Sequence, residues 1–379
     1  MAGLYLHVPF CAAICNYCNF TRGLLDGAVK TQFVAALQAD IRRHAEPVAI
    51  ASIFFGGGTP SLLSAAEVAA ILTACRESFE LAPDAEITLE ANPESVTAAS
   101  LAGYLRAGVN RLSFGVQSFR NEELQRLGRL HSAERAAEAV ALARAAGFDN
   151  LSLDLMLWLP EQRLEHLRES VERLIAIGPE HASLYLLEVY PNAPLREAMA
   201  RSGWSVAPDD DAADMYLDAM ETLERAGYRQ YEISNVARAG RESRHNLTYW
   251  RDGEWLAFGP GAHGARAHER WRVVGGTSDY IMRVAAGADT AAERLPRDRT
   301  TRLEEALFMG LRLADGLDLE AIRRRYGVDV LETFGDALAP HVRAGRLVCD
   351  SGRIYLTRAG MLVANDVMAV FIGHGFTVE

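Results

Sequence analysis

Apolar, β-branched or aromatic runs recur through the first half of the chain at roughly 4–8, 50–55, 86–90, 111–116, 150–157 and 182–188. Between them, apolar positions fall at helical spacing over roughly 27–44, 65–80, 95–108, 121–146 and 161–177. Strands alternating with helices predict βαβ units and a parallel sheet. The runs SIFF, LSLDLML and ASLYLL are nearly continuous in apolar residues, as in strands covered on both faces. Six such units predict an α/β fold, an incomplete and curved (β/α)6 barrel. A doubly wound open sheet is the competing layout, and periodicity does not separate the two. Helix ends are legible too. Ser64 with Glu67 three residues on forms a capping box, and Gly108 and Gly147 stand where left-handed C-caps belong.

After about residue 200 the pattern changes. SGWSVAPDDD (202–211) reads as a linker and helix start, followed by a helix near 208–227. An irregular region rich in Gly, Trp and His runs to about 275. Residues 303–379 read as helices, a hairpin (GRLVCDSGRIYLT, turning at Asp350-Ser351-Gly352) and a final helix, a winged-helix-like α+β tail. The expected organisation is a barrel over 1–205, an accessory region over 206–295 and a C-terminal domain over 296–379.

Composition narrows the chemistry. With 49% hydrophobic and 23% charged residues the chain is globular. A net charge of -11 argues against nucleic acid as the main partner. Lys30 is the only lysine among 39 basic residues, which leaves no P-loop and weakens any Schiff-base role. The apolar runs fall short of a membrane span, and residues 1–10 lack signal-peptide features, so a cytoplasmic location is expected. Cys75, inside a helical pattern, and Cys349, in the tail hairpin, read as small core residues.

The remaining cysteines, Cys11, Cys15 and Cys18, follow the first strand directly. In a parallel β/α fold that loop lies on the face where active sites are built. Three thiolates can hold three irons of a 4Fe-4S cluster and leave the fourth open to a ligand. Structural zinc is the alternative, with His7 the nearest fourth donor. FFGGGTPSLL ends the second strand, and its glycines permit close backbone approach.

YLHVPFCAAICNYCNF resembles the opening of radical S-adenosylmethionine (SAM) enzymes, in particular the group that unites oxygen-independent coproporphyrinogen III oxidases with haem chaperones. The resemblance runs in order through nearly the whole chain. It implies that SAM chelates the open iron, and that one electron from the reduced cluster cleaves a carbon–sulfur bond to give a deoxyadenosyl radical. Matching the family's motifs implies SAM contacts from Tyr5, Tyr17, Gly57, Gly58, Thr59, Glu90, Gln117, Arg129 and Asp154. A ribose calls for carboxylate acceptors such as Glu90 or Asp154, and the cofactor carboxylate for a cation such as Arg129.

Three further features carry the resemblance toward the chaperone branch. Asn19-Phe20 stands where the oxidases have a fourth Cys. The chain starts close to its first strand, whereas the oxidases have an additional N-terminal segment. HNLTYW (245–250) is similar to the branch's haem motif, which makes His245 the expected haem ligand; His263 in GPGAH is shared more widely and is not assigned. The family usually has Gly-Leu-Pro-Gly-Gln after the fifth strand, where Trp158 and Glu161 replace two glycines. The expected function is therefore delivery of haem to acceptor haem proteins such as respiratory ones, with no catalytic residue assigned. Radical oxidative decarboxylation of coproporphyrinogen III is the alternative, and a radical enzyme acting on a haem-like substrate a weaker third. The resemblance also suggests a cluster-dependent homodimer. Arg323-Arg324-Arg325 reads as a solvated helix face, with a haem propionate, an acidic partner or peripheral contact with an anionic membrane as alternatives.

Overall fold

The structure is a computed structural model and describes residues 1–191 and 193–373. Six strands, Ala2–Val8, Ala49–Gly57, Glu80–Ala91, Arg111–Gln117, Leu151–Leu157 and His181–Leu186, pair in sequence order and in parallel. Helices Gly27–Arg43, Ala65–Ser78, Ala98–Ala107, Ala133–Ala146 and Leu164–Ile177 connect them. This is the expected six-unit α/β layout. The apolar runs fill the space between sheet and helices: Leu4, Leu6, Ile53, Phe55, Leu89, Leu112, Phe114, Leu153 and Leu155 are fully buried. Each such side chain contributes about 1.5–3 kcal/mol through the water it sheds.

The helix punctuation forms as read. Ser64 and Glu67 make the reciprocal capping box, and Gly108 and Gly147 take left-handed φ of 110° and 106°. Lys30 pairs with that same Glu67 at 3.0 Å. The helical pattern over 121–146 divides into Asn121–Arg126 and Ala133–Ala146. The break places Arg129 beside the strand ends, where the functional residues gather.

The sheet does not end at the sixth strand. Trp255–Phe258 pairs in parallel with the first strand, Leu4 opposite Leu256 and Leu6 opposite Phe258. His263–Ala265, Glu269–Val273 and Ala291–Pro296 continue antiparallel beyond it. Asn235–Ala237 and Arg229–Glu232 extend the opposite edge, giving twelve strands in all among the described residues. Periodicity missed these short strands because they are three to six residues long and interrupted by Gly, Trp and His.

Beyond them, helix Arg299–Gly310, strand Leu317–Asp318, helices Leu319–Tyr326 and Val330–Arg343, and hairpin Leu347–Asp350/Arg353–Leu356 form the winged-helix-like unit. Ser351 and Gly352, at φ 50° and 76°, make the hairpin turn. Leu303, Leu307, Phe334, Ile354 and Phe371 lie in its separate core. Cys75 is buried as expected, and burial pushes its thiol up to about 12. Cys349 is exposed instead, since a two-stranded hairpin at the surface covers only one of its faces. No helix among the described residues is long and apolar enough to cross a membrane.

Candidate functional site

A cavity of about 400 Å³ opens at the C-terminal ends of the parallel strands, as the fold class leads one to expect. Cys11, Cys15 and Cys18 lie on its wall, together with Tyr17, Gly57, Gly58, Thr59, Glu90, Gln117, Arg129 and Asp154. Burial raises the Cys11 and Cys18 thiols, and the cysteines also act electrostatically on one another. Arg22 braces the loop by donating to the carbonyls of Phe20, at 2.7 Å, and of Cys18.

The glycine motif has a packing reason besides ligand approach. Gly58 donates its N–H to Val8 O at 2.8 Å, and a Cβ there would lie 2.6 Å from Phe10 O and 3.0 Å from Cys11 Sγ. Gly57 sits at φ 112°, and a Cβ would lie 2.8 Å from the His7 ring. The second strand therefore passes directly beneath the cysteine loop, at a separation only glycine allows.

Arg129 bridges the cavity wall. Its Nη1 donates to Cys15 Sγ at 3.3 Å, and its Nη2 to Asn92 Oδ1 at 2.8 Å and Gly115 O at 2.7 Å. Its buried Nε has no hydrogen-bond partner. An orphaned guanidinium donor beside a cavity is suited to an anionic ligand. Asn92, which the sequence reading passed over, anchors this arginine; the Asn92-Pro93 pair just after Glu90 was the available signal. Gln117 adopts φ 70° at an irregularity in the fourth strand, a strained non-glycine conformation of the kind that gathers at ligand sites.

Glu90 and Asp154 form the floor. Burial and then the Asp154 charge push the Glu90 carboxyl up to about 8, although it accepts from Gly57 N at 3.2 Å. Burial raises Asp154 to about 6, while hydrogen bonds from Ser183 and Ser113 and the charge of Arg111 hold it down. Arg111 is itself fully enclosed, only 2% exposed, and lies within electrostatic reach of both acids. Two carboxyls near one buried arginine suit acceptance of sugar hydroxyls.

The donor set fits a cluster with one open iron. A cubane presents a separate iron to each thiolate, so its ligands line a wall instead of surrounding a point. Among the described residues no three His, Cys, Asp or Glu side chains converge on a single-ion site. His7, the fourth donor of the zinc alternative, is otherwise engaged: Tyr5 Oη lies 3.1 Å from its Nδ1 and Thr21 O 2.7 Å from its Nε2.

Two expected site residues lie outside this cavity. Tyr5 lines an adjacent cleft of about 430 Å³. His245 is buried in the short helix Arg244–Trp250, 1% exposed. Ser52 Oγ lies 2.9 Å from its Nδ1 and Tyr249 Oη 2.7 Å from its Nε2, so both ring nitrogens are engaged. Burial and the nearby Arg111 charge pull its pKa down to about 3. In this conformation His245 joins the helix to the barrel and presents no free nitrogen to solvent. Tyr249 and Trp250 of the same motif do reach the adjacent cleft. Trp158 and Glu161 take φ 64° and 60°, the left-handed region that favours glycine. They do not line the cysteine-walled cavity. Trp158 Nε1 donates to Ala207 O at 2.7 Å, and Glu161 accepts from Ser205 N at 2.8 Å.

Comparison with known proteins accounts for this arrangement. Residues 5–174 match the model of the radical SAM superfamily, and residues 298–363 match the HemN C-terminal domain. The fold is that of coproporphyrinogen III oxidase HemN from Escherichia coli, described as a radical SAM enzyme: the TM-score is 0.85 at 22% identity over 98% of this chain and 89% of that one. The molecule is thus a radical SAM protein with a HemN-type C-terminal domain. It is 34% identical to the heme chaperone HemW of Bacillus subtilis over 99% of this chain and all of that one. It is 43% identical to the Escherichia coli heme chaperone HemW over 69% of each. The chain belongs to the family of the heme chaperone HemW.

Proposed function

We propose that the chain is a haem chaperone that carries a 4Fe-4S cluster on Cys11, Cys15 and Cys18, binds SAM beside it, and delivers haem to an acceptor haem protein. The observation that carries the cofactor half is the meeting, in one cavity, of three thiols, the orphaned Arg129 donor and the buried carboxyls of Glu90 and Asp154. When bound, the cluster and SAM supply one-electron cleavage of a carbon–sulfur bond. The chain's own residues position and shield. Arg129 offers a donor to the SAM carboxylate, Glu90 and Asp154 accept from ribose hydroxyls, and Tyr17 and Met156 help close the cavity against water. The haem half rests on the family and on HNLTYW, whose Tyr249 and Trp250 reach an open cleft. Phe20, at the position of the oxidases' fourth Cys, supports the chaperone over the oxidase reading.

The test is one oxygen-free preparation taken through iron and sulfide counting, haem titration, and incubation with reductant, SAM and coproporphyrinogen III. The expected result is a cluster, stoichiometric haem and no decarboxylated product. Robust conversion to protoporphyrinogen IX would make the protein an oxidase instead.

A further inference from the structure

The cleft next to the cofactor cavity lies where the barrel edge meets the C-terminal domain. Tyr249, Trp250 and Trp255 supply aromatic walls, Phe20 reaches it from the cysteine loop, and Met309 from the first helix of the C-terminal domain. Tyr249 and Trp255 pack edge to face, with centroids 4.7 Å apart, which fixes both rings. Phe20 is 67% exposed, an unusual amount of apolar surface for a side chain beside a hollow. Asn19 and Phe20 line both the cleft and the cofactor cavity and so form their common wall.

Three histidines lie in or against this cleft, and they differ in what their nitrogens are doing. His7 is held at both nitrogens by Tyr5 and Thr21, and His245 at both by Ser52 and Tyr249. His263 lines the cleft from an exposed position on its strand. It has no side-chain hydrogen bond or ion pair among the described residues.

An imidazole with a free lone pair, flanked by flat aromatic faces, matches a planar apolar macrocycle with a metal at its centre. We propose that haem occupies this cleft, and that His263, in place of His245, is the protein ligand to its iron. The proposal rests on the haem-chaperone reading and locates that cargo. His263 has Arg270 and Arg272 near it, with Glu293 beyond. Arg270 lies in the cleft wall, stacks on Trp255 at 5.5 Å and pairs with Glu305 at 2.7 Å. Its guanidinium is the cation available to the acidic edge of the macrocycle. His245 then acts from beneath, holding Tyr249 and with it the aromatic wall.

The experiment titrates haem into the full-length, cluster-reconstituted protein and follows the Soret band. His263→Ala is expected to weaken binding at least tenfold and to move the band, with iron and sulfide content unchanged. His263→Cys should restore binding with a band characteristic of thiolate ligation, a shift that a packing role would not produce. His245→Gln, checked for native circular dichroism, should keep the wild-type band position. If His263→Ala leaves band and affinity unchanged, the assignment is wrong. If, in addition, folded His245→Gln loses the band, the ligand belongs to HNLTYW and the chaperone reading survives. If the wild-type protein binds no haem, the chaperone reading itself fails and takes this proposal with it.

Discussion

His245 and Ser52 are 193 positions apart in the chain and joined by a 2.9 Å hydrogen bond inside the protein. The bond fastens the helix carrying HNLTYW to the second barrel strand. Removing the ring leaves a cavity and strands the Ser52 and Tyr249 hydroxyls. His245→Ala should therefore destabilise the fold by about 2–4 kcal/mol, measured by denaturant unfolding. The pH dependence has a definite sign. The folded pKa of about 3 lies below the unfolded 6.5, so this contribution is present above pH 6.5 and is lost as pH falls toward 3. His181, also buried and lowered, adds in the same sense. His245→Gln should flatten the acid side of the stability profile.

Glu90 gives the opposite slope. Its folded pKa of about 8 exceeds the ordinary 4.5, so its contribution is full below pH 4.5 and is lost as pH rises through about 8. In cofactor-free protein, Glu90→Gln should remove on the order of 4 kcal/mol of the stability difference between pH 5 and pH 8.5. Thermal unfolding across that range checks it. An unchanged slope would mean that Glu90 does not titrate as a buried acid.

The cysteine loop depends on the glycine beneath it. A methyl group at Gly58 meets Phe10 O and Cys11 Sγ, neither of which can move without displacing Cys11, a proposed cluster ligand. Gly58→Ala should lower iron and sulfide incorporation severalfold, while far-ultraviolet circular dichroism stays native. Full incorporation would show that the loop adapts.

Trp158 and Glu161 stand in left-handed backbone, which costs each about 1 kcal/mol relative to glycine. Both recover part of this by hydrogen bonding to the 205–207 segment. The double change Trp158→Gly and Glu161→Gly should leave cluster content and haem binding intact and change stability by less than about 2 kcal/mol. Sensitivity to limited proteolysis near 203–208 should increase. Loss of SAM binding in that variant would instead place the loop in the cofactor site.

The barrel was legible because each strand is a long apolar run and each helix has a cap, Ser64–Glu67 and Gly108 among them. The cysteine spacing, together with Gly57, Glu90, Gln117 and Asp154, pointed to one mouth, and the structure brings them to one cavity, adding Arg129 from the loop after the fourth strand. The strands after residue 228 escaped because their partners are far away in sequence: Trp255–Phe258 is a strand because it lies against Ala2–Val8. His245 carried a motif but no sign of its depth, since whether a histidine is a ligand or a strut depends on what packs around it. Arg111 gave no signal at all. Its importance comes from lying near Glu90, Asp154, His181 and His245 at once. The arginine run expected to be a solvated face is exposed at all three positions, with Arg323 4.0 Å from Asp329 and Arg325 paired with Asp252 at 2.8 Å, just beyond HNLTYW.

The most direct measurement is the electron paramagnetic resonance spectrum of the reduced, reconstituted protein with and without SAM. The account expects a 4Fe-4S signal that changes when SAM is added, because one iron is open to it. Arg129→Met should still assemble the cluster, by iron and sulfide content, and need at least tenfold more SAM for the change. A protein that carries zinc, or a cluster signal indifferent to SAM at any concentration, would contradict it.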